Sequence, residues 1–122
     1  MSLVFVSDDH RESFQEIRST LPDRYKQDIE HISLIYLLTG NEELKRKALP
    51  YYKPDEGVFL FVDMFREQDF SSGMRVLAKL AVFLFNRGVD VTLGELFSLD
   101  SFNLWLAREA IKLRRTGEWA AL

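Results

Sequence analysis

Apolar residues recur with a helical period along three stretches of the chain, and each stretch ends at a glycine. The stretches cover residues 23–40, 72–88 and 101–117. In the first of them the apolar positions fall at i, i+4, i+7 and i+11, the spacing of one helical face; they are Tyr25, Ile29, Ile32 and Tyr36. A glycine after a helix favours a left-handed cap, which we expect at Gly40. The pattern therefore predicts three long helices.

Shorter helices are predicted before and between the long ones. Ser7 is a suitable N-cap for a first helix, which Pro22 stops. Asn41 begins a short helix, and residues 92–97 form another short helix or a single turn. We therefore expect an all-α fold, with residues 1–122 as a single compact domain of five to seven helices around a central helix.

The helix expected at the centre is residues 74–87. Nearly every side of it is apolar, and its one narrow, mostly polar stripe consists of Arg75, Lys79, Val82 and Asn86. The last long helix is expected to turn one stripe inward, namely Phe102, Leu106, Ala110 and Leu113. Both helices would thus contribute to a common core.

Residues 58–65 are apolar except for Asp63 and follow neither a strand period nor a helical period. Because the rest of the chain offers no obvious strand partner, we expect a buried helix. A single layer of neighbours cannot cover a helix that is apolar on almost every side, and large exposed apolar patches are unusual in monomers. The segment therefore predicts a homodimer with Phe59 or Phe61 near a two-fold axis, and Phe65 in the same interaction surface.

Composition and charge narrow the classes of function. Apolar residues make up 47% of the chain and charged residues 29%, which is typical of a globular protein. The net charge of −3 gives no overall attraction to phosphate, so nucleic-acid binding would need a local basic patch. Without cysteine there is no disulfide and no thiolate chemistry. No apolar run reaches the roughly 18 residues of a membrane helix, and the first residues do not form a signal peptide, so we expect a cytoplasmic protein without a membrane partner.

His10 is the first candidate for a catalytic or metal-binding side chain, because three carboxylates are close in sequence, those of Asp8, Asp9 and Glu12. A zinc site requires three or four converging ligands, commonly with an i, i+4 pair on one helix, and the chain has no such motif. We expect a half-buried structural histidine with one hydrogen-bond partner. No catalytic residue, metal site or cofactor is predicted, and an enzyme or metal protein that uses His10 is the third hypothesis, after an interaction module and a nucleic-acid-binding regulator.

Two further polar residues have simple structural interpretations. His31 follows Asp28 by three residues, which predicts a surface pair on one helix. Ser33 lies in the middle of the same helix, where its hydroxyl is expected to bond to the carbonyl of Ile29.

The last helix carries an aromatic and basic stripe on one face, which consists of Trp105, Arg108, Lys112 and Arg115. Such side chains stack on bases and pair with phosphates, and residues 88–96 resemble the turn and short helix of a helix-turn-helix. However, cations near the end of a helix also complement its dipole, and a recognition helix reads bases mainly with its N-terminal residues. We therefore expect a non-enzymatic interaction or assembly module, with a small nucleic-acid-binding regulator as the alternative.

Three places in the chain resemble a known group of proteins. They are residues 5–14 (FVSDDHRESF), residues 80–88 (LAVFLFNRG), and residues 95–97 (ELF) followed by 109–115 (EAIKLRR). These resemble short uncharacterised proteins from Firmicutes and their prophages, which form families of unknown function. The resemblance implies a helical fold and such a source, implies no activity, and does not extend to residues 52–70.

Overall fold

The fold is mostly helical. A computed structural model describes residues 4–117, which contain seven α-helices and a two-stranded sheet. The helices are α1 (Asp8–Ser19), α2 (Ile29–Thr39), α3 (Glu42–Ala48), α4 (Phe61–Glu67), α5 (Ser72–Asn86), α6 (Leu93–Phe97) and α7 (Ser101–Thr116). Strands β1 (Tyr52–Lys53) and β2 (Val58–Phe59) pair in antiparallel fashion, and 3-10 turns cover Asp23–Tyr25 and Leu49–Tyr51. The predicted fold class is confirmed.

The helix at the centre of the fold is α2. Every residue from His31 to Thr39 is buried, and α2 packs against α1, α3, α5 and α7. No residue of α2 after His31 carries a charge, so neighbours can cover it on all sides. A central helix is thus present, but the expectation that it is residues 74–87 is wrong, because four helices pack around α2, whereas α5 packs mainly against α2, α3 and α7.

Side-chain caps fix where the predicted short helices begin. The Ser7 hydroxyl accepts a hydrogen bond from the N–H of His10 at the start of α1, and Asn41 Oδ1 accepts one from Leu44 at the start of α3. At α6, Thr92 and Glu95 each accept a hydrogen bond from the other's main-chain N–H, which is a capping box. The first helix and both short helices are therefore confirmed.

The long helices differ from expectation at some positions. Residues 23–25 form a separate 3-10 turn, and α2 begins only at Ile29, where the Asp28 side chain caps it. In α5 the side chain of Val82 is fully buried, although its position belongs to the expected polar stripe. In α7 the inward stripe is confirmed except for Phe102, which is exposed because it lies at the helix start, beyond the edge of the core.

The glycines that end the long helices have different physical roles. Gly117 has φ +69° and forms the expected left-handed cap of α7, whereas Gly40 has φ −86°, so the left-handed cap predicted there is wrong. A Cβ on Gly40 would lie 2.6 Å from Leu106 Cδ1, which is closer than carbon atoms pack. Gly40 is therefore required for the close approach of α7 to α2.

At the end of α5 the left-handed residue is not a glycine but Arg87, with φ 59°.

Residues 58–65 do not form one buried helix, so that expectation is wrong. Val58 and Phe59 form β2, and the N–H of Leu60 bonds to the carbonyl of Tyr51 at 2.9 Å before α4 begins. The strand partner is β1, only a few residues upstream, and a turn over residues 53–57 brings the two together.

Among the described helices, none is both long and apolar enough to cross a membrane.

Candidate functional site

His10 lies in the core, where both of its ring nitrogens bond to the main chain. Nδ1 accepts a hydrogen bond from the N–H of Val6 at 3.0 Å, so the ring proton lies on Nε2, which donates to the carbonyl of Tyr36 at 2.8 Å. Burial lowers the pKa of His10, and the charge of Lys45 acts in the same direction. The expected structural role is confirmed, with two partners in place of one and full burial in place of partial burial.

His31 is buried as well, so the predicted surface pair with Asp28 is wrong. Its Nδ1 shares a hydrogen bond of 2.6 Å with the hydroxyl of Tyr52 on β1. The imidazole also packs on the ring of Tyr25 and against the edge of the Phe85 ring. Burial lowers the pKa of His31 and raises that of the Tyr52 phenol, so both groups are neutral at pH 7.

The predicted bond from the Ser33 hydroxyl to the Ile29 carbonyl is confirmed at 2.8 Å.

A hollow of about 190 Å³ opens beside His10, between the first turns of α1 and α3. It is lined by residues that include Ser7, Asp9, Asn41, Lys45 and Phe102. Because both nitrogens of His10 bond to the main chain, the imidazole presents neither a base nor a metal ligand to this hollow. Within residues 4–117, no three His, Asp or Glu side chains come together in a way that could hold a metal ion.

The predicted interaction residues of segment 58–65 differ in exposure. Phe59 is only 5% exposed and packs among rings inside its own chain, whereas Phe61 and Phe65 are half-buried. The exposed apolar side chains of the segment are Val58, Leu60 and Val62. Another chain could therefore contact Val58, Leu60 and Val62, together with the exposed edges of the Phe61 and Phe65 rings.

Helix α6 presents the most exposed of the large apolar side chains in the described residues. Phe97 is 73% exposed and Leu93 is 69% exposed, and their i, i+4 spacing places them on one face. The helix is held firmly, by its capping box and by an ion pair between Glu95 and Lys79 of α5 at 2.5 Å. That ion pair lowers the pKa of the Glu95 carboxyl. The exposed face is thus part of an ordered surface, and we call it the α6 face.

The basic stripe of α7 lies at the surface. Arg108, Lys112 and Arg115 are exposed, and Trp105 is half-buried. Lys112 pairs with the carboxylate of Glu109 at 3.4 Å, so the stripe is flanked by one acid whose side chain is mostly buried. Whether the stripe binds nucleic acid stays a prediction.

The sequence profile of one protein family matches residues 1–120. The chain belongs to DUF6075, a family of unknown function. Neither a curated protein nor a solved structure matches the chain. The predicted membership of a family of unknown function is confirmed, and the DUF6075 match also covers residues 52–70, where the sequence resemblance was absent.

Two groups of surface residues escaped the sequence interpretation. For the α6 face the sequence predicts only a short helix, although an apolar pair spaced i, i+4 on one capped turn indicates a stripe that is either exposed or buried. Arg87 was not grouped with the α7 stripe, because it belongs to α5 and only the packing of α5 on α7 brings the two together.

Proposed function

We propose that this member of DUF6075 is a non-enzymatic protein–protein interaction module that forms a homodimer through the α6 face. The observation that carries the proposal is the exposure of Leu93 and Phe97 on a helix that a capping box and an ion pair to α5 hold in place. Full burial of a side chain of this kind is worth roughly 1.5–3 kcal/mol. A partner that covers the pair would therefore gain appreciable binding free energy.

Gly94 supports the proposal independently. Glycine inside a helix costs roughly 0.5–1 kcal/mol relative to alanine. Nothing within residues 4–117 requires it here, since its φ is not positive and a Cβ would meet only the Thr92 hydroxyl of that part of the chain, at 3.8 Å. A glycine beside Leu93 and Phe97 leaves a notch in the α6 face, into which the backbone of a second helix fits closely.

A second copy of the chain is the occupant that we propose. In a two-fold dimer the same patch contacts itself, so one contact covers the α6 face of both protomers. We propose an axis perpendicular to α6, so that the two α6 helices run antiparallel, with Phe97 of each copy near Leu93 of the other and Gly94 at the crossing. The net charge of −3 per chain opposes this contact only weakly at physiological salt.

The α6 face replaces Phe59 as the centre of the proposed dimer, because Phe59 is buried in its own chain. Val58, Leu60 and Val62 are also exposed, and they belong to a different part of the chain from the α6 face. The two regions make separate predictions for mutagenesis.

The test is the molar mass of the purified protein, measured by light scattering at micromolar concentration. The proposal expects a dimer that Phe97→Asp converts to a folded monomer, whereas the matched variant Val62→Asp stays dimeric. A monomeric wild type, or a dimer that only Val62→Asp dissociates, would refute dimerisation through α6. Circular dichroism melting of both variants checks that neither substitution unfolds the chain, as expected for positions that are 73% and 65% exposed.

We also propose a cytoplasmic location and a Firmicute or prophage source. The absence of cysteine from the sequence is compatible with a reducing compartment, and the source rests on the sequence resemblance of residues 5–14, 80–88 and 109–115. Cell fractionation and the genes that neighbour family members test these two points.

A further inference from the structure

Two adjoining hollows lie where the C-terminal ends of α5 and α7 come together. One, of about 260 Å³, is lined by Phe83, Leu84, Arg87, Ile111, Arg114 and Arg115. The other, of about 300 Å³, is lined by Arg108, Glu109, Ile111, Lys112, Arg115 and Thr116. Because Ile111 and Arg115 line both, the hollows are neighbours, and we call them together the basic hollow.

Three of the five cations around the basic hollow have no acidic partner in the described part of the chain. Arg114 donates to the carbonyl of Leu84 at 2.8 Å and pairs with Glu30 at 3.2 Å, and Lys112 pairs with Glu109. The remaining three side chains form no such bond and are exposed; they are Arg87, Arg108 and Arg115. The helix dipoles place only about half a negative charge at each helix end, which does not neutralise three guanidinium groups.

This local positive charge is notable in a chain of net charge −3. Two helices distant in sequence contribute to it, so it does not follow from the charge pattern of one helix. A concave surface with an excess of one charge concentrates ligands of the opposite charge. The ligand of the basic hollow is therefore expected to be anionic.

The backbone of Arg87 provides a second, independent observation. Arg87 has φ 59° and ψ 24°, and it is the one non-glycine residue of positive φ among residues 4–117. A side chain in this region costs on the order of 1–2 kcal/mol, which glycine would avoid, as it does at Gly117. A left-handed residue is common at the end of a helix, so the conformation itself is a cap; a phosphate-binding role for the guanidinium accounts for arginine instead of glycine at this position.

We propose that the basic hollow binds the phosphates of a single-stranded nucleic acid. Arginine side chains predominate, and the planar guanidinium matches phosphate oxygens in a way that an ammonium group does not. The half-buried ring of Phe83 lines the same hollow, and an aromatic wall beside cations is what unpaired bases stack on. Because guanidinium groups also pair with carboxylates, it is the ring of Phe83 that favours a nucleic acid over an acidic peptide.

A single strand fits better than a duplex. Recognition helices read the major groove with their N-terminal residues, whereas the cations here lie in the second half of α7 and at the end of α5. The exposed residues in the first turn of α7 are Ser101 and Phe102, and neither carries a charge. The charge distribution therefore does not support duplex recognition in the manner of a helix-turn-helix.

Fluorescence anisotropy with a labelled oligothymidylate tests the proposal. Each phosphate contact of a single strand contributes about 0.7 to the slope of log affinity against log salt, so three contacts predict that a fourfold rise in salt weakens binding roughly 20-fold. The triple variant Arg87→Gln, Arg108→Gln and Arg115→Gln should lower the magnitude of the slope by about two. The matched control replaces three exposed arginines elsewhere, Arg24, Arg46 and Arg66, with glutamine; it has the same net charge and should bind like the wild type.

The other outcomes each contradict the proposal. Absence of saturable binding at low salt, or equal losses in the two triple variants, would show that no site exists at the basic hollow. Tighter binding of polyglutamate than of oligothymidylate would indicate an acidic protein partner, and tighter binding of duplex DNA would indicate groove recognition. The Phe97→Asp variant should bind oligothymidylate like the wild type, so this proposal and the proposed dimer can fail separately.

Discussion

His10 donates a hydrogen bond from Nε2 to the main-chain carbonyl of Tyr36, over a distance of 2.8 Å inside the core. The Tyr36 hydroxyl in turn donates to the carbonyl of Val4 at 2.7 Å, and Nδ1 of His10 accepts from Val6. One neutral imidazole thus joins the segment before α1, α1 itself and the central helix α2. Protonation of His10 would remove the acceptor that holds Val6.

Stability should decrease as the pH falls below the ordinary pKa of histidine. Above about pH 7, the folded and unfolded chains both hold neutral histidines, and the free energy of unfolding is independent of their titration. Below about pH 6.5 the unfolded chain gains protons that folded His10 and His31 resist, because burial lowers both pKa values. We expect the free energy of unfolding to fall by at most about 2.7 kcal/mol per pH unit, measured by urea titration between about pH 7.5 and 5.5.

Histidine variants provide the control for this pH dependence. Replacement of either His10 or His31 by glutamine should roughly halve the slope, even though it also lowers stability at pH 7. A slope that is unchanged in both variants would assign the pH dependence to other groups.

Gly40→Ala should destabilise the fold by about 1–3 kcal/mol, the usual range for an overpacked core. The added methyl group would lie 2.6 Å from Leu106 Cδ1 and 3.2 Å from His10 Cε1, and both side chains are buried. Leu106→Val removes bulk at the same place, so the double variant should lose less stability than the sum of the two single variants. Strict additivity in thermal or urea unfolding would show that the two sites do not clash.

Gly94→Ala should change folding and association in opposite directions. The alanine stabilises the monomer by about 0.5 kcal/mol, because the helix is retained and the methyl group meets only the Thr92 hydroxyl, at 3.8 Å. The same methyl group fills the notch in the α6 face and should weaken the dimer, as measured by sedimentation equilibrium. A variant that is more stable and equally dimeric would contradict the proposed crossing of α6 helices at Gly94.

Arg87→Gly should likewise separate stability from binding. Glycine relieves the left-handed conformation and is expected to stabilise the chain by about 1 kcal/mol. Loss of the guanidinium should weaken oligothymidylate binding and lower the salt slope by about 0.7. If Arg87→Gly binds as tightly as the wild type, Arg87 is not part of a phosphate site.

The helices were predictable because their signals are local. A cap such as Ser7 or Asn41 and the apolar period after it lie within a few residues, and each determines where its helix starts. The α7 stripe was predictable for the same reason, since helical spacing alone places Arg108, Lys112 and Arg115 on one face.

The remaining features depend on contacts between distant residues. The burial of His31 requires Tyr52, and β2 forms because the turn returns Phe59 to Tyr52. The requirement for glycine at position 40 arises from Leu106, far along the chain. A short helix with an apolar face has the same periodicity whether that face is buried or exposed. The exposure of the α6 face could therefore not be predicted either.

The position of α2 determines how the folded chain opens to solvent. Because α2 is enclosed by α1, α3, α5 and α7, the departure of any one neighbour leaves its amide hydrogens largely shielded. Their exchange with deuterium then requires unfolding of the whole domain, whereas α6, which lies at the surface, opens at a lower free energy. The slowest-exchanging amides should therefore map to residues 33–39, and their rate is a direct readout of global stability for every variant described above.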